Sequence, residues 1–124
     1  MLARIFGDGC PALDVDAALE YVGGDRELLG ELLTVFSEDA PGHLETLGRA
    51  LDQSNPGDLM KAAHALKGSL WAIGARNAAA LAADLERIGR DGGLDGALPL
   101  RARLEHEITR VLHAAAAYST TPPS

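Results

Sequence analysis

Apolar residues at Leu29, Leu32, Phe36, Ala40, Leu44, Leu47 and Leu51 recur at steps of three and four. Only an α-helix gathers such positions onto one face. The stripe crosses Pro41 without changing phase. One long helix over about 26–53, kinked where Pro41 removes a backbone hydrogen bond, accounts for it. Two helices with Asp39 capping the second are the alternative. A helix this long with one apolar face needs partners to cover that face. The rest of the chain offers helices, not a sheet. Ala and Leu dominate, Val, Ile and Thr are sparse, and aromatic residues make up 4%. No segment alternates as a half-buried strand does. The expected class is all-α.

Turn-forming and capping residues divide the chain. Residues 1–11, with Gly7, Gly9 and Pro11, read as a flexible arm. A short helix follows Asp14 and ends at Gly23-Gly24, and Asp25 caps the long helix. Asn55-Pro56-Gly57 is a turn, after which Asp58 is expected to cap a helix whose inward stripe is Leu59, Ala62, Ala63, Leu66, Leu70 and Ile73. Gly74 closes it. Asn77 is expected to cap the next, with Leu81, Leu85 and Ile88 inward as far as Asp91-Gly92-Gly93. The last helix begins near Asp95, tolerates Pro99 in its first turn, and shows Leu100, Leu104, Ile108, Val111, Leu112 and Ala115. Residues 119–124 read as a tail or linker. The expectation for 12–118 is an antiparallel four-helix bundle with a short additional N-terminal helix covering one end.

Charge narrows the function. The 124 residues carry a formal net charge of −7, which repels phosphate backbones and anionic lipid surfaces, so no nucleic-acid or membrane contact is expected. No apolar run approaches the ~18 residues that span a bilayer, and the N-terminus does not read as a signal peptide. A single cysteine, Cys10, excludes an internal disulfide framework and a multi-cysteine zinc site. The expected setting is cytoplasmic.

The third helix carries the chemistry. In Ala63-His64-Ala65-Leu66-Lys67-Gly68-Ser69-Leu70-Trp71 the inward stripe leaves His64 on the opposite side. Lys61, Lys67 and Gly68 are its helical neighbours three and four residues away. Glycine inside a helix costs about 1 kcal/mol relative to alanine, so Gly68 points to something that approaches the backbone closely. An exposed imidazole is nucleophilic near neutral pH, and a cation one turn away offsets charge on an incoming phosphoryl group. No carboxylate lies in the same turn, and no metal cluster or phosphate-cradling loop is evident. Catalysis would have to come from a partner.

The segment resembles the signature of histidine-containing phosphotransfer (HPt) domains, roughly His-x-Leu-Lys-Gly-Ser followed by Gly-Ala, at His64, Leu66, Lys67, Gly68, Ser69, Gly74 and Ala75. Ala18-Leu19, Gly23-Gly24-Asp25, Leu28 to Phe36, Ala40-Pro41 and Leu85-Glu86 extend the similarity over about 12–92. It lies closer to the HPt domains of hybrid sensor kinases than to those of chemotaxis kinases. The resemblance implies a bundle in which His64 accepts a phosphoryl group from a receiver-domain aspartate and passes it to the aspartate of another response regulator. It implies that Lys67 steadies the phosphoryl group and that Gly68 gives the receiver access; Lys61, on the same face as His64, is expected at that interface too. Mg²⁺ would sit on the partner receiver, the chain itself would need no cofactor or metal, and it would work as a monomer. An excised C-terminal module of a hybrid kinase and a free-standing protein both fit.

Trp71 and Ala72 depart from the pattern, which commonly has a small residue and Asn there. Trp71 returns to nearly the face of His64. It either anchors the receiver interface or packs over the next helix near Ala78 or Ala82. Ser69 points away from His64 and is expected to hydrogen-bond a preceding carbonyl. His106 and His113 are seven apart, which is not the four-residue zincin spacing, and His43 is a polar edge of the long helix. Glu and Asp at 84, 86, 105 and 107 read as solvated helix faces. Gly7-Asp8-Gly9 lacks a flanking strand, and Cys10 has no base beside it. Two other functions stay open beside the phosphorelay domain. A receiver- or kinase-binding adaptor that transfers nothing would be free to lose His64; an autonomous enzyme lacks a nucleotide loop, metal set or acid–base pair.

Overall fold

The computed structural model describes residues 11–120, with side chains as far as Tyr118. Five helices follow one another: α1 (Val15–Tyr21), α2 (Arg26–Asp52), α3 (Pro56–Ala72), α4 (Arg76–Asp91) and α5 (Ala97–Thr120). Among the described residues there is no strand, and no helix is long and apolar enough to cross a membrane. Helices α2 to α5 form an antiparallel four-helix bundle in which α3 packs on α2 and α4, and α5 closes the ring against α4 and α2. The expected arm over 1–11 lies outside the described residues except for Pro11. α5 runs on through Ser119 and Thr120, where the tail was expected to begin.

α2 is one unbroken helix with Pro41 inside it, so the two-helix alternative is overturned. Its buried face is Leu29, Leu33, Phe36, Ala40, Leu47, Gly48, Ala50 and Leu51. Burying that stripe outweighs the loss of one main-chain bond at Pro41. The Asp14 and Asp25 carboxylates cap α1 and α2, accepting from the Ala17 and Leu28 amides at 3.0 Å each.

Two expected caps are corrected. α3 starts earlier, with Asn55 as its N-cap and Pro56 in the first turn. Asn55 Oδ1 accepts from the Asp58 amide at 3.1 Å while its Nδ2 donates to Asp58 Oδ2 at 3.0 Å. Proline is pre-set for the first helical position and needs no amide partner there, so Asp58 falls inside the helix. α4 begins at Arg76, which places Asn77 inside it; the N-cap is Ala75 and no side chain caps it. Ala75 is fully buried against the core, so packing rather than a polar cap sets this start.

The buried face of α4 also differs from the expected Leu81, Leu85 and Ile88. It is Ala78, Ala79, Ala82, Leu85, Glu86 and Gly89, with Leu81 and Ile88 half-buried beside it. Small residues win because α3 comes close. A Cβ at Gly89 would lie 2.7 Å from both the Met60 nitrogen and the Pro56 carbonyl oxygen. This approach of two backbones turns position 86, one helical turn earlier, toward the middle of α3.

Candidate functional site

α3 leaves Leu59, Ala63, Leu66 and Leu70 in the core and presents His64 outward, its side chain 67% exposed. The imidazole nevertheless has a partner. Its Nδ1 lies 2.9 Å from Glu86 Oε2 on α4. The other carboxylate oxygen, Oε1, receives Lys67 Nζ at 2.6 Å, and Arg90 reaches Oε2 at 3.2 Å. One carboxylate thus ties together the histidine, a lysine one turn along α3 and an arginine one turn along α4.

Glu86 corrects the expectation of a solvated face: its side chain is only 8% exposed. Glu107, also expected to be solvated, is buried too and binds Arg110 at 2.9 Å and 3.0 Å. Periodicity carried the signal for Glu86, because 86 falls on the Ala82, Leu85, Gly89 stripe. Buried carboxylates are rare unless paired, and the pairing side chains come from another helix or another turn.

The pairing fixes the chemistry of His64. The Lys67 ammonium, and after it the His64 hydrogen bond, hold the Glu86 carboxyl below its usual range, with burial opposing them. An ionised carboxylate only accepts, so the hydrogen is assigned to Nδ1. Nε2 then carries the lone pair, and it makes no hydrogen bond to the described residues. The arrangement can present a fixed tautomer whose free nitrogen faces solvent, and can hold the positive charge that develops on the ring when Nε2 forms a bond.

Glu86→Gln is expected to keep the shape of the site and lose the charge. Its cost is about 1 kcal/mol at neutral pH. Because the folded-state pKa of Glu86 is lowered, the wild-type advantage is fully present above the ordinary glutamate value of ~4.3. It disappears as pH falls through that value toward the lowered one. Thermal melts of the two proteins at pH 7, 5 and 3 check this: the gap should close in acid, and a gap that widens there contradicts the assignment.

The other expected residues are placed as follows. Gly68 has nothing within 4 Å of where a Cβ would stand. Lys61 is exposed and forms no ion pair among the described residues. Trp71 is 53% exposed. The Ser69 hydroxyl donates to the Ala65 carbonyl at 3.3 Å, as a local partner. His106 and His113 are exposed on α5; among the described residues no three His, Cys, Asp or Glu side chains gather as a metal site. Cys10 and Gly7-Asp8-Gly9 lie outside the described residues.

Comparison with known proteins agrees with this fold. No curated protein matches the chain. The crystal structure of histidine-containing phosphotransfer protein B (HptB) from Pseudomonas aeruginosa PAO1 is similar at a TM-score of 0.81 and 25% identity, over 91% of this chain and 99% of that one. The family model of the Hpt domain matches residues 31–114, a span that holds His64, Lys67, Gly68 and Glu86 together. Well over half of the sequence is covered, and the chain belongs to the Hpt domain family.

Proposed function

We propose that the chain is a phosphorelay intermediate in two-component signalling and that His64 is the residue that carries the phosphoryl group. The observation that carries this reading is the single orientation of His64: Nδ1 held by a nearly buried carboxylate, Nε2 open. The Nε2 lone pair attacks the phosphorus of an aspartyl phosphate on a receiver domain. The P–O bond to the aspartate breaks, and its electron pair leaves on the carboxylate. The proton on Nδ1 stays, and Glu86 faces the resulting imidazolium. Transfer to a second receiver runs these steps in reverse. Lys67, drawn to Glu86 beside the ring, lies close enough to turn an N–H toward a phosphoryl oxygen.

The chain acts as a carrier, with no kinase activity of its own. Mg²⁺ and the acidic pocket belong to the receiver, the donor receiver being of the kind attached to hybrid sensor histidine kinases. It works as a monomer in the cytoplasm. The test is transfer of label from a phosphorylated receiver with Mg²⁺ to the chain. An acid-labile, alkali-stable product is the signature of a phosphohistidine, and binding without label would make the chain an adaptor.

Gly68 serves access. A methyl group there meets only open space, so Gly68→Ala should raise helix stability by up to about 1 kcal/mol. The same methyl group would hold the receiver's active site away from Nε2, and transfer should slow by about tenfold, since small misplacements of reacting groups are expensive. Denaturant melts and transfer rates measured on one preparation check both halves; a variant more stable and equally fast removes Gly68 from the interface.

A further inference from the structure

The face around His64 is uneven along its length, and that unevenness describes the partner. Trp71 lies seven residues after His64, two turns and about 10 Å along the helix on nearly the same azimuth. Its indole is 53% exposed in a protein whose other aromatic and aliphatic side chains are mostly packed. Toward the start of α3, the groove between α2 and α3 is lined by His43, Thr46, Arg49, Asp58, Lys61 and Ala65, among others. Val35, 52% exposed, stands three turns before Thr46, on the same outward side of α2. One end of the surface therefore carries two exposed apolar side chains, and the other is polar, with Lys61 and Arg49 beside Asp58.

Charge singles out Lys61 at the polar end. Lys67 and Arg90 are engaged with Glu86, and Arg49 pairs with Glu45 at 2.7 Å. Lys61 forms no ion pair among the described residues, because Asp58, one turn before it in the same groove, is taken up by Asn55, although the chain carries 18 acidic residues against 11 basic ones. A free cation in an acidic protein, one turn from a phosphoryl acceptor, suits a carboxylate brought by the partner.

Reaction geometry forces that partner onto this surface. Phosphoryl transfer needs the two reacting atoms about 3–3.5 Å apart, so the donor must cover His64. A specific interface buries about 800 Å² per partner, a patch reaching roughly 16 Å from its centre, and Trp71 and Lys61 both fall within it.

We infer that Trp71 and Lys61 are the two specificity-determining contacts of this domain. They select a receiver that sets an apolar socket over the indole and a carboxylate, about 15 Å away, beside the ammonium. The inference rests on His64 being the phosphoryl carrier, and its test keeps the two apart. The probes are receiver domains phosphorylated with acetyl phosphate and Mg²⁺, titrated against the full chain. Trp71→Ala should raise the half-saturating receiver concentration by about 30-fold or more, as hot-spot residues do, with a much smaller fall in the maximal rate. Trp71→Phe should recover part of the loss. Lys61→Ala should raise the half-saturating concentration by about three- to tenfold at low salt and less at high salt. Circular dichroism melts accompany each variant. Loss of helicity in Trp71→Ala together with its loss of affinity would assign the indole to packing and overturn the inference. Transfer that continues with Trp71→Ala and Lys61→Ala both within twofold of the wild type overturns it as well, while the carrier reading stands. A wild-type chain that takes label from no receiver removes the carrier reading, and the docking inference with it.

Discussion

His64→Gln is expected to abolish phosphoryl uptake and leave the bundle intact. The side chain is mostly exposed, so its replacement should shift stability by no more than about 0.5 kcal/mol. The glutamine amide can still donate to Glu86, which keeps Lys67 and Arg90 in place around the carboxylate. What disappears is the Nε2 lone pair, and nothing else on the exposed side of α3 replaces it. Ser69 is turned into the helix, donating to Ala65, and Lys67 is bound as an ammonium to Glu86. Label from a phosphorylated receiver should therefore appear on the wild type and fall to background on the variant, with both proteins melting alike. Equal labelling of the two would remove His64 from the mechanism. If neither takes label and both bind receivers, the chain is an adaptor.

Gly74→Ala is expected to be the most damaging single methyl group in the fold, costing about 3 kcal/mol. Two independent effects add. Gly74 has φ of +76°, a left-handed conformation that costs an alanine about 1–2 kcal/mol. The new Cβ would also lie 2.6 Å from the Asp14 carbonyl oxygen and 3.1 Å from the Ala18 Cβ. That carbonyl belongs to the residue whose amide donates to Gly74 O at 2.8 Å. Backbone cannot yield as a flexible side chain does, so α1 must lift off or α3 must unwind its last turn. The melting temperature should fall by roughly 10 °C or more. A loss below 2 °C would mean that α1 is docked too loosely to feel the clash. Because His64 is nearly three turns away, transfer measured well below the melting temperature should survive, which separates this variant from those of the site.

The helices and the exposed face that carries His64 and Lys67 were legible in the sequence because each is a local matter. The α2 stripe states its own period, and two aspartates, Asp14 and Asp25, cap the helices they precede. His64 and Lys67 share a face because one helix carries both. The errors came where a neighbouring helix decided. Asn77 resembles a cap, yet α4 starts on buried Ala75. Leu81, Leu85 and Ile88 look like an inward stripe, yet alanines and Gly89 face α3 because the two backbones nearly touch.

Glu86 shows the same division at the site itself. The sequence by itself determined an all-helical bundle and an exposed histidine beside a lysine and a helix glycine, since these follow from spacing within single helices. It did not determine how the imidazole is held. The carboxylate that fixes the tautomer of His64 stands 22 residues away. It reads as one more surface acid until Gly89 lets α4 approach α3. Arg90 is already its neighbour along α4, but only then do Lys67 and His64 of α3 supply the partners that let its charge stay buried, and only the tertiary structure brings them to it.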